Sequence, residues 1–219
     1  MASLLRSGLT MTTLDHLLVF GDVDRVADRV SATLHVDPVD SGTHPGAGTR
    51  NRLFALRGSC ALEVIGPDPA QEGPRRRAPD DGEGGTGVLW WWAVRSEEPL
   101  EVLASRLREE GIATTDPEWG ERRRPFGDRL TWETLDLVGH PFGNTVPFVI
   151  RWLDGVPPFR LDPDPVCELR SFILGHPDAG GLRAMLARLG LEVAVERADA
   201  PTLTAEVASP AGSMRFVSA

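Results

Sequence analysis

No lysine and no tyrosine occur in this chain of 219 residues, and all 23 of its basic residues are arginine. The first absence excludes a Schiff-base lysine; the second excludes a tyrosine acid or nucleophile. Such a bias is what a GC-rich bacterial genome produces. Cysteine is scarce as well. Cys60 and Cys167 stand far apart, with no CxxC pair and no metal-type spacing, so two reduced core thiols in a cytosolic protein are expected. No apolar run approaches the roughly 20 residues of a membrane span. Met1–Thr13 lacks the apolar stretch and cleavage site of a secretion signal, so a cytoplasmic location is expected. A net charge of −9 and a pI of about 5.1 repel nucleic acid and anionic membranes. Signatures of a serine or cysteine nucleophile, a phosphate-binding glycine loop and a dinucleotide fold are all missing.

What is present is a repeat. Leu14–Phe20 alternates and then runs apolar, the pattern of a buried strand. Asp22 is placed to cap a helix over Val23–Leu34, with Val23, Val26, Val30 and Leu34 on one face. Strands are expected near 36–42, 51–56 and 61–65. The same order returns as a strand at 88–94, a helix over 98–110 ended by Gly111, and strands near 121–124, 129–137 and 147–153. A third copy is expected as a strand at 166–174, a helix over 179–189 ended by Gly190, and strands at 193–197, 202–207 and 213–217.

Repeats spaced about 75 residues apart predict an α+β protein of repeated βαβββ units. The expected division is a disordered N-terminus over residues 1–13, two units over 14–153, a proline-rich linker over 154–165 and a third unit over 166–219. Residues 66–87, rich in Pro, Gly and Asp and carrying Arg75-Arg76-Arg77, read as a mobile surface loop. Each unit leaves an apolar sheet face that must pair with another to be buried. The odd third unit therefore either packs outside the first two or completes a cup in a second chain, which leaves a homodimer open.

A carboxylate inside an apolar strand is costly unless it is paired or binds something. That singles out Glu63, within Cys60-Ala61-Leu62-Glu63-Val64-Ile65, and with it His16 of the first strand. His16 admits three readings: a satisfied core residue bonded to a buried acid such as Glu63, half of a ligand-binding dyad, or a metal ligand. The glycines of His44-Pro45-Gly46-Ala47-Gly48-Thr49 allow close backbone approach to a ligand, or simply a turn. Asn51 is one of only two asparagines and either ties the loop down or touches a ligand. Trp90-Trp91-Trp92, Trp132 and Trp152 give the second unit an unusual aromatic load. Strand neighbours alternate faces, so at least one of the three consecutive tryptophans points into the cup.

The order Leu14-Asp15-His16, a short helix, His44-Pro45-Gly46-Ala47-Gly48-Thr49-Arg50-Asn51, then Leu62-Glu63-Val64-Ile65 resembles the glyoxalase-like domains of the vicinal-oxygen-chelate superfamily. The segments Arg122-Arg123-Arg124-Pro125-Phe126-Gly127-Asp128-Arg129-Leu130-Thr131-Trp132 and Pro147-Phe148-Val149-Ile150-Arg151-Trp152 are similar to later motifs of that family. Phe126 and Arg151 stand where the family carries acids, and Arg50 where it carries a histidine. The resemblance covers most of residues 14–153 and implies a curved eight-stranded cup. It also implies one divalent ion held by a histidine from the first strand and a carboxylate from the last strand of each unit.

Only the first unit offers that pair, as His16 and Glu63. The second has Trp90–Trp92 and Phe148–Arg151 in those places, and in the third Ser171 falls opposite His16 and Arg215 opposite Glu63. His44 can complete a two-histidine, one-carboxylate set. The cofactor is thus none, or one Fe, Mn, Ni or Zn ion. Two function classes follow. One is a protein that binds a small organic molecule, acidic or aromatic, through Arg50, Asn51, Trp91, Trp92, Arg122, Arg124 and Trp132. The other is a metal-dependent lyase, isomerase or dioxygenase acting on a vicinal-oxygen substrate, with His16, His44 and Glu63 as its catalytic residues.

Overall fold

The computed structural model describes residues 13–73, 87–125, 127–160 and 165–219. The expected disordered N-terminus up to residue 12, the Arg75–Arg77 stretch, Phe126 and the centre of the proline-rich linker fall outside them. No helix among the described residues is long and apolar enough to cross a membrane.

The first half contains β1 (Thr13–Phe20), α1 (Val23–Leu34), β2 (Asp40–His44), β3 (Thr49–Leu56) and β4 (Cys60–Pro67). The second contains β5 (Val88–Arg95), α2 (Leu100–Glu109), β6 (Glu118–Arg123), β7 (Arg129–Leu135) and β8 (Phe148–Trp152). These eight strands close into a barrel in the order β1-β4-β3-β2-β6-β7-β8-β5. The first and last strands of each half pair in parallel, β1 with β4 and β5 with β8. The two seams differ. β1 and β5 pair along their whole length, whereas β2 and β6 meet at the single pair Thr43–Arg123.

Helix α1 forms where the sequence places it. The Asp22 carboxylate accepts from Arg25 N–H at 3.0 Å, and His35 closes the helix in the left-handed conformation. Its stripe of Val23, Val26, Ala27, Val30 and Leu34 is buried on the barrel's outer face, each larger side chain contributing roughly 1.5–3 kcal/mol. Helix α2 does the same with Leu100, Leu103, Ala104 and Leu107. Alternation then sends Leu17 and Val19 of β1 outward to the helices, and His16, Leu18 and Phe20 into the barrel.

Two bulges break that alternation where it matters. Leu18 pairs with Trp91 and Val19 with Leu89, so Trp90 is an extra residue; Leu14 pairs with Val94 and His16 with Ala93, so Asp15 is another. The first bulge lets Trp90 and Trp91 both face the interior while Trp92 points out. A short 3-10 turn at Gly143–Thr145, not foreseen in the sequence, anchors all three. Asn144 Nδ2 donates to the Trp90 carbonyl at 2.9 Å, Trp91 Nε1 to Val146 O at 2.7 Å, and Trp92 Nε1 to Thr145 O at 3.2 Å.

The third segment contains β9 (Glu168–His176), α3 (Ala179–Arg188), β10 (Ala194–Arg197), β11 (Thr202–Ser209) and β12 (Gly212–Val217). It repeats the linear order of the halves but not their wiring. Its sheet runs β10-β9-β11-β12, so the first strand pairs with the second and third, not with the fourth. Arg215 on β12 is therefore no counterpart of Glu63 on β4, and the expected match of Ser171 and Arg215 to the His16–Glu63 pair is lost. One face of this sheet packs outside the barrel. Leu174, Leu203, Ala205, Val207, Met214 and Phe216 share one buried cluster with Leu17, Val19 and Trp92. The Ser209 hydroxyl donates to Leu34 O at 2.7 Å. The linker is no free spacer. Its Phe159, 1% exposed, packs among Leu53, Ala55, Ala61 and Trp152 at one end of the barrel.

Candidate functional site

The barrel encloses a cavity of about 420 Å3, and its two halves line it differently. Every strand of the first half contributes hydrogen-bonding side chains: His16 from β1, His44 from β2, Thr49 and Asn51 from β3 and Glu63 from β4. Each strand of the second half contributes tryptophan: Trp90 and Trp91 from β5, Trp119 from β6, Trp132 from β7 and Trp152 from β8. Five of the six tryptophans in the chain thus line one space. Trp92, the sixth, packs outward on Phe172 of β9 with ring centroids 5.2 Å apart.

The polar floor is a continuous chain of contacts. Arg95 Nε donates to Asp15 Oδ2 at 2.6 Å, and Asp15 Oδ1 lies 2.7 Å from His16 Nδ1. His16 Nε2 lies 3.1 Å from Glu63 Oε2, and Asn51 Nδ2 donates to Glu63 Oε1 at 2.7 Å. Arg122 Nη1 donates to Asn51 Oδ1 at 3.2 Å, Arg122 Nη2 to Asp40 Oδ2 at 2.6 Å, and Arg124 Nε to the same oxygen at 2.9 Å. An Arg–Asp pair therefore bridges each seam, Arg95–Asp15 between β5 and β1 and Arg122–Asp40 between β6 and β2. Arg122 crosses because Gly42 has no side chain; a Cβ there would meet its Cγ at 2.7 Å.

Burial and charge act oppositely on the two histidines. Burial by itself lowers the His16 pKa, but the bond to Asp15 and the charges of Glu63 and Asp15 outweigh it, so the value is raised above 6.5. Burial also dominates at His44, where Glu63 opposes it weakly, and the value is pushed down to about 4. His16 is an imidazolium held between two carboxylates, and His44 is a neutral imidazole. The Asp15 carboxyl is disfavoured as an anion by burial, yet His16 and Arg95 bring it below the ordinary value. His44 Nδ1 lies 2.8 Å from the Thr49 hydroxyl, and its Nε2 has no partner among the described residues.

The walls are set by packing between indoles. Trp132 meets Trp152 edge to face at 5.6 Å and His44 at 5.7 Å, and Trp91 lies 4.9 Å from Phe148. Gly120 makes room for Trp132; a Cβ there would meet the indole Nε1 at 2.5 Å. Trp119 is 60% exposed, between Glu118 and Gly120, and Glu118 and Glu121 also line the cavity.

A divalent metal needs several donor atoms aimed at one point. Here the His16 and Glu63 donors face each other, His16's other nitrogen is held by Asp15, and Glu63's other oxygen by Asn51. On the second half the inward places of β5 and β8 carry Trp90, Trp91, Phe148 and Ile150, which are not ligands. Among the described residues no group of three or more His, Cys, Asp or Glu is arranged to hold an ion. The residues present do not fit the metal that the superfamily resemblance implies.

Of the residues singled out in the sequence, the cavity brings together His16, His44, Asn51, Glu63, Trp91, Arg122 and Trp132. Three lie elsewhere. Arg50 follows Thr49 and precedes Asn51, both of which face inward, so alternation turns it out toward α1, where Nη2 meets Asp24 at 2.7 Å. Trp92 is turned out by the same rule, and Arg124 lies past the end of β6 on Asp40. Sequence reasoning missed Asp15, Asp40, Arg95, Trp119 and Phe159, and left open which of Trp90, Trp91 and Trp92 face the cup. Asp15 alone carried a signal, as a second buried acid beside His16.

A similar solved structure shares this fold. The crystal structure of a hypothetical protein from Staphylococcus aureus superposes with a TM-score of 0.64 at 15% identity, covering 94% of this chain and 86% of that one. A methylmalonyl-CoA epimerase from Mycobacterium tuberculosis gives a TM-score of 0.43 at 19% identity, covering 68% and 92%. No curated protein matches the sequence. The glyoxalase-like domain family matches residues 14–190, most of the chain. With the barrel of paired βαβββ units, that match makes the chain a member of the glyoxalase-like domain family of the vicinal-oxygen-chelate superfamily.

Proposed function

We propose that the protein binds a small, flat aromatic molecule in the barrel cavity. One observation carries this reading: four indoles, Trp90, Trp91, Trp132 and Trp152, converge on a single space of about 420 Å3 with Trp119 at its rim, within the range of small-molecule sites. Aromatic walls gain both from buried area and from ring–ring geometry. The polar floor, already internally bonded, would orient a ligand rather than hold a metal. An acidic ligand finds little free cation here, because Arg50 is paired with Asp24, and Arg122 and Arg124 with Asp40; of the lining arginine's donors only Arg122 Nε lacks a partner among the described residues. An anion entering beside Glu63 would be desolvated without a cation of its own.

Calorimetric titration with neutral aromatic probes such as 2-naphthol and quinoline tests the reading. Saturable one-to-one binding is expected, weakened about tenfold or more by Trp91→Ala and by Trp132→Ala. Absence of saturable binding by every aromatic probe would overturn it.

A second reading rests on His44 Nε2, an imidazole nitrogen without a partner among the described residues, in the cavity that Glu63 also lines. In it the site moves a proton on its bound ligand without a metal, as a lyase or isomerase does. His44→Gln, which keeps a side chain against Trp132, would then abolish turnover while 2-naphthol still binds; turnover retained in that variant would sink this version.

A further inference from the structure

We infer that the ligand is an organic cation, an aromatic or heteroaromatic ring carrying a protonated amine or a quaternary nitrogen. This rests on the preceding reading of the cavity as an aromatic-ligand site and names the charge that the site selects. Indole rings present electron-rich faces, and tryptophan is the strongest cation–π partner among side chains. A cavity walled by four of them, with Trp119 at its rim, is a poor host for an anion and a good one for a positive charge spread over a ring.

The carboxylates of the lining point the same way. Glu118 and Glu121 border the cavity, while Glu63 is already engaged by His16 and Asn51. The lining also holds two cations, but each is countered from behind. His16 lies between Asp15 and Glu63, and Arg122 is bound to Asp40. The partners of Glu121 are surface groups: Arg129 at 3.1 Å is 61% exposed and Arg123 at 3.8 Å is 62% exposed. Such exposed pairs are weak and are readily exchanged for a better-placed cation.

His44 supplies a third, independent feature. It is 8% exposed and lines the cavity, with Nε2 unpartnered among the described residues. When Nδ1 donates to the Thr49 hydroxyl, Nε2 presents its lone pair to an ammonium N–H. Because burial keeps this ring neutral at physiological pH, it does not compete as a cation in the same space. The net charge of −9 draws cations toward the protein from a distance.

Three probes of nearly equal shape decide the matter: 1-methylquinolinium, 1-methylnaphthalene and 1-naphthoate, titrated calorimetrically at low and high salt. The cation is expected to bind about tenfold tighter than the neutral ring, and the anion weakest. Glu118→Gln with Glu121→Gln should shrink the cation's advantage several-fold while the neutral ring binds as before. Cation and neutral ring binding equally, or the anion binding best, would overturn the inference and leave the aromatic-site reading standing. If none of the three binds, both readings fall. A quaternary probe matching a protonated-amine probe such as 1-naphthylmethylamine would assign recognition to the indole faces; a clear preference for the amine, lost in His44→Ala, would assign it to the imidazole.

Discussion

Stability should fall on both sides of a maximum near pH 6.5, with His44 setting much of the acid side. Burial pushes its pKa from 6.5 down to about 4, against a weaker pull from Glu63 and with the Arg122 and His16 charges reinforcing it. Below pH 6.5 the unfolded chain takes up a proton at this residue, and the folded chain does not until near pH 4. Acid therefore favours the unfolded state across that interval. At 1.36 kcal/mol per pKa unit, the loss between about pH 7.5 and about pH 4.5 comes to about 2.5 kcal/mol. His16 acts with the opposite sign. Its pKa is raised in the folded state, so its contribution is fully present below 6.5 and is lost as pH rises through the raised value. Urea unfolding of the wild type and of His44→Gln, at about pH 4.5, 6 and 7.5, isolates the first effect. Asp15, His140 and every other group common to both chains cancel in the difference. The wild type should gain about 2.5 kcal/mol on the variant between the acid and neutral ends. A difference constant to within about 0.5 kcal/mol would refute a buried neutral imidazole at this position.

Asp15→Asn strands the Arg95 guanidinium and the His16 imidazolium in a buried site, at a cost of about 3 kcal/mol; thermal unfolding followed by circular dichroism should show a midpoint lower by roughly 6–12 °C, and an unchanged midpoint would refute the role given to this carboxylate. Trp92→Ala opens a gap against Phe172 and should cost about 3–5 kcal/mol in urea unfolding while leaving 2-naphthol affinity unaltered; Trp91→Ala should do the reverse in calorimetry, and equal effects on affinity would mean that the bulge at Trp90 does not separate the two faces. Gly120→Ala places a methyl 2.5 Å from Trp132 Nε1, so about 1–3 kcal/mol of strain and a several-fold loss of probe binding are expected. Full binding by that variant would show that the seat of Trp132 is not needed.

Much of the barrel was legible because its signals are local. The Asp22 cap, the valine stripe of α1 and the alternation of β1 each need only a few neighbouring residues. The third segment shows where such signals stop. Its strand–helix–strand–strand–strand order was readable, but whether β9 pairs with the fourth strand or with the second is decided by packing against the outer faces of β5 and α1, which no local pattern reports. At the site, His16, His44, Asn51 and Glu63 were found through motif and apolar context. Arg50 and Asn51 could have been separated, since adjacent strand residues face opposite ways. The tryptophans could not, because a bulge at Trp90 resets the count within one strand. Asp40, Arg95 and Phe159 were invisible: each matters through partners far away in sequence, Arg122 for the first, Asp15 for the second, and Leu53, Ala55 and Ala61 for the third.

Those long-range partners decide what the polar floor can do. Asp15 gives one oxygen to His16 and the other to both Arg95 and Trp152 Nε1, the last at 3.1 Å. One carboxylate therefore fixes the charge state of the floor and the orientation of a wall indole together, so the cavity is shaped before any ligand arrives, and little ordering remains to oppose binding. At the other seam the backbone supplies a single strand pair, Thr43 with Arg123, and side chains supply the rest. Arg122 ties β6 to β2 through Asp40 and to β3 through Asn51. A ligand anion that drew the Arg122 Nη2 away from Asp40 would leave that carboxylate to Arg124 alone and loosen the seam where the strand pairing is thinnest. Removing one partner of a buried ion pair costs several kcal/mol, on the order of 3–5, more than a new surface-accessible pair returns. The arginine that the sequence offers as a ligand clamp is thus engaged in closing the barrel, and selection in the cavity falls first to the indoles and the neutral imidazole.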